Sequence, residues 1–254
     1  MNEKEVFMKI EPCHPIVSGG CLLFFDTCHV VQTHDVLDSL LYAQLAASRK
    51  HPEKHVDFES WKQVWLAAAL RFGWVLNTHE GLSQRPAGGP GSTLWDWIRS
   101  AKTLLVPQVS VDTAEMAARQ CYAQQPEQRA IELLAAQTLS VDQHGVEIVP
   151  GALDAVPKSV ATRVALQLAF VGPAGDEMVL VQIHFTTLQA LTPAYLFELI
   201  DPLQVVGNVA LDFYSMRLVD VIYSQFRERF DVALKEKRPL FIEPLKGERD
   251  VLSR

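Results

Sequence analysis

Residues 159 to 187 constrain the fold more than any other stretch of the chain. Two apolar runs, SVATRVALQLAFV and MVLVQIHFTT, flank the turn GPAGDE. In both runs apolar residues recur at every second position, which is the period of a β-strand with a buried face. A turn rich in Gly, Pro and Asp between two such runs predicts an antiparallel β-hairpin. The hairpin contains no catalytic or cofactor motif, so it predicts architecture rather than chemistry.

The alternation assigns the hairpin side chains to two faces. The apolar face is formed by Val160, Thr162, Val164, Leu166, Leu168, Phe170, Val179, Val181, Ile183 and Phe185. The other face carries Arg163, Gln167, Gln182, His184 and Thr186. A sheet with one covered face is therefore expected, and His184 is expected to be a half-exposed strand histidine.

Helical periodicity dominates the N-terminal half. Apolar residues recur at three- and four-residue steps in segments that predict helices at about 34–49, 57–73, 93–105, 112–122 and 126–138. Asp57 is a candidate N-cap of the second helix, and Ser92 or Thr93 is a candidate N-cap of the third. All five tryptophans fall in or beside these two helices, and their spacing favours a place in the core.

Residues 78 to 93 form the most loop-like segment of the sequence. The part RPAGGPGST, residues 85 to 93, places glycines before a helix, as phosphate-binding loops do. It matches neither GxxxxGK[ST] nor GxGxxG, no lysine follows, and Pro86 and Pro90 remove backbone donors. An exposed loop is therefore the favoured interpretation.

These patterns predict an α+β protein in two regions. Residues 1–138 are expected to be helix-rich, and residues 139–254 are expected to form an antiparallel sheet of three to five strands packed on a long C-terminal helix. That last helix is placed at about 213 to 237, where apolar residues again recur at helical spacing. The boundary near 138 to 158 follows from a change in composition, and the two regions are also compatible with one continuous domain.

The composition excludes some classes of function. The formal net charge is −7, and the longest basic cluster is the short KEKR at residues 235 to 238, so nucleic-acid binding is disfavoured. No run of apolar residues is long enough to predict a transmembrane helix. The first residues, MNEKEVFMKIEP, mix charges without an apolar secretory core. A cytoplasmic protein with reduced cysteines is therefore expected.

The densest group of potential metal ligands lies near the N-terminus. Cys13, Cys21, Cys28 and His29 offer the thiolate and imidazole groups that zinc prefers. The spacing is not that of a zinc motif, because there is no CxxC pair and the cysteines are eight and seven residues apart. Buried structural cysteines are the competing and simpler interpretation.

Cys28 and His29 also suggest a catalytic hypothesis. A cysteine nucleophile needs a nearby imidazole to take its proton, and His29 or another histidine could supply it. Partners of this kind are usually distant in sequence, and nothing around DTCH identifies a site beyond the residue types. Cys28 and His29 therefore remain weak candidates.

The sequence leaves three hypotheses of function. The leading one is a non-enzymatic interaction or assembly protein, such as a subunit of a larger bacterial or phage-encoded complex, with a protein partner or as a homo-oligomer. The alternative is a hydrolase or transferase whose Cys/His site is assembled from distant residues. The third is a membrane-active protein that uses the amphipathic hairpin. No cofactor is predicted under any of them.

Overall fold

The computed structural model describes residues 14–26, 30–86, 89–101, 103–142 and 160–247. In these ranges the strands are β1 (Ile16–Ser18), β2 (Cys21–Phe25), β3 (Trp74–Gln84), β4 (Leu139–Asp142), β5 (Ala161–Val171), β6 (Glu177–Thr187), β7 (Val205–Leu218) and β8 (Ile242–Pro244). The helices are α1 (Val30–Lys50), α2 (Phe58–Arg71), α3 (Leu94–Ser100), α4 (Gln108–Gln124), α5 (Arg129–Thr138), α6 (Asp220–Leu234) and α7 (Arg238–Phe241).

All eight strands belong to one mixed sheet. Seven of them follow the order β3-β7-β6-β5-β2-β1-β8, and β4 pairs with the first residues of β5. The pairing of β2 with the last residues of β5 is parallel, whereas the other pairings are antiparallel. The sheet therefore combines strands from both halves of the sequence.

The predicted hairpin is confirmed as β5 and β6, at the centre of this sheet. Its register runs from Thr162 opposite Thr187 to Val171 opposite Met178. Gly175 closes the turn with a φ of +77°, a conformation that residues with a Cβ adopt only at a cost. The backbone N–H of Gly172 donates to the carbonyl of Glu177 at 2.8 Å, which fixes the register of the two strands.

Helices cover the sheet on both sides. One apolar cluster joins one face to α3, α4 and α5, and a second cluster joins the other face to α1, α2 and α6. Ala165, Ala169 and Leu180 lie on the second face, which the alternation had assigned to the polar side of the hairpin, and all are at most 2% exposed. The hairpin is therefore buried on both faces, which explains its nearly continuous apolar sequence.

The predicted fold class is wrong in the size and type of the sheet. The chain is α+β, but the sheet has eight strands in mixed orientation rather than three to five antiparallel ones. The N-terminal half is not purely helical, because it contributes β1, β2 and β3. The strand β3 was predicted as loop from residue 78 on, since most of its side chains are exposed and polar.

The expected long C-terminal helix is also wrong. Residues 213 to 218 belong to β7, and α6 covers only Asp220–Leu234, shorter than α1. The spacing of Phe213 and Met216 fits a helix and a strand equally well. Residues three apart share one face of a helix, whereas in a strand they point to opposite faces, and both faces of this sheet are covered. Pairing with β6 and β3 on both sides decides in favour of the strand.

The local signals at the second and third helices are confirmed. The Asp57 side chain accepts a hydrogen bond from the Ser60 N–H at 3.3 Å, and Thr93 forms a reciprocal capping box with Asp96. The five tryptophans are core residues, as their spacing predicted, and none is more than 8% exposed. These large side chains therefore belong to the two apolar clusters that pack the helices on the sheet.

Candidate functional site

Of the four proposed metal ligands, Cys21 lies within the described residues, and it belongs to the core. Cys21 begins β2, is fully buried, and is a free thiol whose pKa burial raises far above its ordinary value. Such a thiol stays protonated at neutral pH and packs as a small apolar side chain. Cys13, Cys28 and His29 lie outside the described residues, so the metal and nucleophile hypotheses that involve them stay predictions.

Two structural findings concern the metal and membrane hypotheses. Within the described ranges no three His, Cys, Asp or Glu side chains are grouped so that they could hold a metal ion. No helix in the same ranges is both long and apolar enough to cross a membrane.

A cleft of about 510 Å³ opens between α4 and the ends of β2, β5 and β6. Its floor includes Phe24 and Phe170, whose rings stack with centroids 5.7 Å apart, and Asp26 and Glu177 also line it. The volume is within the range of small-molecule sites. Because the lining is mostly apolar, the cleft offers room for an apolar group rather than a set of reacting side chains.

Four large apolar side chains are exposed at one end of the central strands. We call them the apolar corner: Leu188 is 41% exposed, Leu199 63%, Leu203 82% and Val206 50%. They lie within nineteen residues of sequence, in the connection from β6 to β7 and the start of β7. Single exposed apolar residues are common on protein surfaces, but a group of four is unusual.

Hydrogen bonds hold the apolar corner in a fixed shape. The Leu188 N–H donates to the Gln204 carbonyl at 2.8 Å, which closes the connection onto itself. The amide of Gln189 donates to the Leu199 carbonyl at 3.0 Å and accepts from the Asp201 N–H at 3.0 Å. The corner is therefore preorganised, which lowers the entropy lost when a partner binds.

The strand β3 lies next to the corner and forms an edge of the sheet. It pairs with β7 on one side, and no strand of the described chain pairs with its other side. A bulge between Leu76 and Thr78 distorts the first half of the strand, and the exposed carboxylate of Glu80 follows it. Both features block edge-to-edge pairing, so the second half, toward Gln84 and the corner, is the more open part.

A second unusual region lies on the face of the sheet that α2 covers. We call it the polar cluster: Gln167 of β5, Gln182 and His184 of β6, His55 of the loop before α2, and Trp65 of α2. Gln167 and Gln182 face each other across the two strands and are 3% and 0% exposed. Uncharged polar side chains with so little exposure normally have hydrogen-bond partners.

Contacts from α2 enclose the polar cluster. The Phe58 ring stacks on His184 with centroids 4.7 Å apart. The Lys62 ammonium lies 2.8 Å from Asp212 of β7, the cross-strand neighbour of Gln182, and Asp212 also lies 3.0 Å from the imidazole of His79.

Gly81 gives Asp212 the room for these contacts. A Cβ at Gly81 would approach the Asp212 carboxylate to 3.1 Å, which is tighter than nine in ten real Cβ contacts. The glycine on β3 therefore leaves room for the carboxylate beside the edge strand, where it reaches both Lys62 and His79.

The polar cluster concentrates hydrogen-bonding atoms that have no partner. Among the described residues, nine buried side-chain nitrogen and oxygen atoms make no hydrogen bond, and six belong to this cluster. They are Gln167 Nε2, Gln182 Nε2, Gln182 Oε1, His184 Nε2, His55 Nδ1 and Trp65 Nε1. Each such atom costs about 1–3 kcal/mol of stability. Unfavourable features of this kind are expected at functional sites rather than in ordinary cores.

Burial and neighbouring cations keep the two histidines of the cluster neutral. Burial, together with the charges of Lys54, His184 and Arg163, lowers the pKa of His55 to about 3. Burial also lowers the pKa of His184, although a hydrogen bond to the backbone of His55 opposes the shift. Burial lowers the pKa of Lys54 to about 8.

Sequence reasoning missed both regions. His184 is partly exposed, as expected, but Gln167 and Gln182, which were assigned to the same polar face, are buried. The signal that could have corrected this was the presence of Met178 and Leu180 on that face, because apolar residues on both faces indicate a covered sheet. The apolar corner has no periodic pattern, so no sequence rule points to it.

Comparison with known proteins adds no family to this geometry. The sequence matches no protein-family model and no curated protein.

Proposed function

We propose that this chain is a non-enzymatic interaction or assembly protein that binds a protein partner, or a second copy of itself, through the apolar corner. The exposure of Leu188, Leu199, Leu203 and Val206 in one hydrogen-bonded connection between β6 and β7 carries the proposal. Burying such side chains against a partner contributes about 25 cal/mol for each Å² removed from water. Grouped apolar residues are typical of interfaces.

The neighbouring strand edge extends this surface. A stable interface usually buries about 800 Å² on each partner, which is more than four side chains provide. The second half of β3 lies beside the corner, and Ser83 there is tied to Asn208 of β7 by a 3.2 Å hydrogen bond. Its outer backbone groups offer hydrogen bonds to an added strand, which is a common way to recognise an extended segment.

The wider setting belongs to the same proposal. A role as a subunit of a larger complex, bacterial or phage-encoded and located in the cytoplasm, agrees with a corner that offers contacts but no reacting groups. The net charge of −7 also favours a protein partner over nucleic acid.

The test compares two double variants that remove exposed apolar groups. Leu199→Ser/Leu203→Ser changes the corner, whereas Val221→Ser/Val232→Ser changes two valines on α6 that are 76% and 80% exposed. Oligomeric state is measured by native mass spectrometry and light scattering, alone and after co-purification from the native host. We expect the corner variant to weaken association by tenfold or more, since central interface residues contribute at least about 1.4 kcal/mol each.

The α6 variant should associate as the unchanged protein does, because its valines are separate from the corner. A protein that is monomeric at all concentrations and carries no stoichiometric partner would contradict the proposal. Equal association by both variants would place the interface elsewhere and contradict it as well.

A further inference from the structure

The side chains of the polar cluster do not satisfy one another's hydrogen-bonding groups. Gln167 and Gln182 are direct cross-strand partners, yet neither side-chain amide donates to the other. Both are more than nine-tenths buried, so bulk water does not replace the absent contacts. A group that bridges the two amides would remove the penalty of several unpaired polar atoms.

The atoms of the cluster define what kind of group fits. Gln167 Nε2, Gln182 Nε2 and Trp65 Nε1 are donors only, whereas Gln182 Oε1 is the one atom of the set that is always an acceptor. The two imidazole nitrogens can act in either way, depending on protonation. A ligand that matches this set must therefore be rich in acceptors, as an oxyanion is.

The charges near the cluster favour the same ligand. Lys62 holds both nearby carboxylates, since its ammonium is 2.7 Å from Glu59 and 2.8 Å from Asp212. The Lys54 ammonium lies 5.4 Å from the centre of the Trp61 ring, and none of the described carboxylates forms an ion pair with it. Lys54 thus supplies a positive charge near the cluster.

We propose that the polar cluster is a binding site for a small oxyanion, a carboxylate or a phosphate, held by the amides of Gln167 and Gln182, the Trp65 indole and the imidazole of His184. The loop of residues 51 to 57 forms the entrance, because Lys54 and His55 are only partly buried. The Lys54 ammonium supplies the charge that attracts the anion. This site is independent of the apolar corner and does not rest on it.

Binding at this site takes up a proton. His184 Nε2 has no partner, so the hydrogen bond to the backbone of His55 involves Nδ1. This bond raises the pKa of His184, as expected when the ring N–H donates to a carbonyl oxygen. In the neutral ring Nε2 then carries a lone pair, which repels an oxyanion. One proton from solvent must therefore join Nε2, and the resulting N–H donates to the anion. The charged and titratable groups around this nitrogen are Lys54, His55, Glu59, Lys62, Arg163 and Asp212 with its neighbour His79.

The experiment measures the thermal unfolding of the full chain in sodium phosphate and in sodium acetate, with sodium chloride at equal ionic strength as reference. We expect a saturable rise in Tm with at least one oxyanion, and a larger rise at pH 6 than at pH 8. Titration calorimetry in two buffers of different ionisation enthalpy should show uptake of about one proton per bound anion. A response to acetate alone identifies a carboxylate site, and a response to phosphate alone a phosphate site.

Two variants test the assignment to the cluster. Gln182→Leu and His184→Gln should each abolish the saturable rise, whereas Gln225→Leu and His34→Gln, both on exposed helix surfaces, should keep it. If Gln182→Leu does not fold, Gln167→Leu replaces it. No rise beyond that in chloride at either pH overturns the proposal, as does an undiminished rise in both cluster variants.

Discussion

His55 makes the stability of this protein sensitive to acid. Burial lowers its pKa from 6.5 to about 3, and the nearby Lys54, His184 and Arg163 act in the same direction. In the unfolded chain the ring titrates near 6.5. Between these two values the unfolded state binds a proton that the folded state does not, so stability is lost as the pH falls below 6.5.

The size of the effect follows from the separation of the two pKa values. Each pH unit below 6.5 removes about 1.4 kcal/mol until the folded pKa is reached, so a change from pH 7 to pH 5 removes about 2 kcal/mol. For a chain of this length that loss corresponds to a fall in Tm of roughly 4–8 °C. The neutral ring of His184 adds a loss of the same sign.

The assay is urea unfolding of the unchanged protein and of His55→Gln at pH 7 and at pH 5. We expect the variant to lose about 2 kcal/mol less than the unchanged protein between these pH values, because glutamine has no proton to gain. His34→Gln changes an exposed histidine and serves as the control, with the full loss retained. If His55→Gln loses as much stability as the unchanged protein, His55 does not remain neutral in the folded state and the reasoning fails.

Three further predictions concern single contacts. Thr93→Ala should lower the free energy of unfolding by about 1 kcal/mol in a denaturant titration, because it removes the capping box of α3, whereas Thr93→Ser should not. Arg238→Met should cost about 3–5 kcal/mol in the same titration, because it leaves the carboxylate of Asp38, 5% exposed, without its two hydrogen bonds from the guanidinium. A smaller loss in Arg238→Met/Asp38→Asn would identify the unpaired charge as the cause. Gly175→Ala should lower Tm by several degrees, because the turn needs a φ of +77°, and an unchanged Tm would show that the turn relaxes.

The sequence predicted those elements whose period is regular and whose ends carry local signals. The hairpin and the caps at Asp57 and Thr93 are of this kind, since each depends on residues close together in the chain. The edge strand β3 was missed because an edge exposes most of its side chains, so its composition resembles a loop. The parallel pairing of β2 with β5 was not predicted. The five apolar residues of β2 do not alternate with polar ones, and β5 lies far away in sequence.

The candidate sites were harder to predict for a physical reason. Gln182 and His184 alternate with apolar residues as a solvated face does, and only the position of α2 above them shows that Gln182 is buried and that the Phe58 ring covers His184. The apolar corner depends on how a connection folds back on itself through Gln189, which no local pattern specifies. Sites built from long-range packing therefore need the three-dimensional structure.

The pairing of β2 has a consequence for how the protein is made. Residues 21 to 25, CLLFF, leave the ribosome early, but their partner strand β5 covers residues 161 to 171. Contacts between segments so far apart form late, because a long loop must close first. Until then β2 can pair with β1, but its other edge lacks its native neighbour β5 and is prone to pair with other chains. The strand β2 is therefore among the first strands to be synthesised and among the last to complete its pairing. The yield of folded protein in the cell should fall as the time between these two events grows.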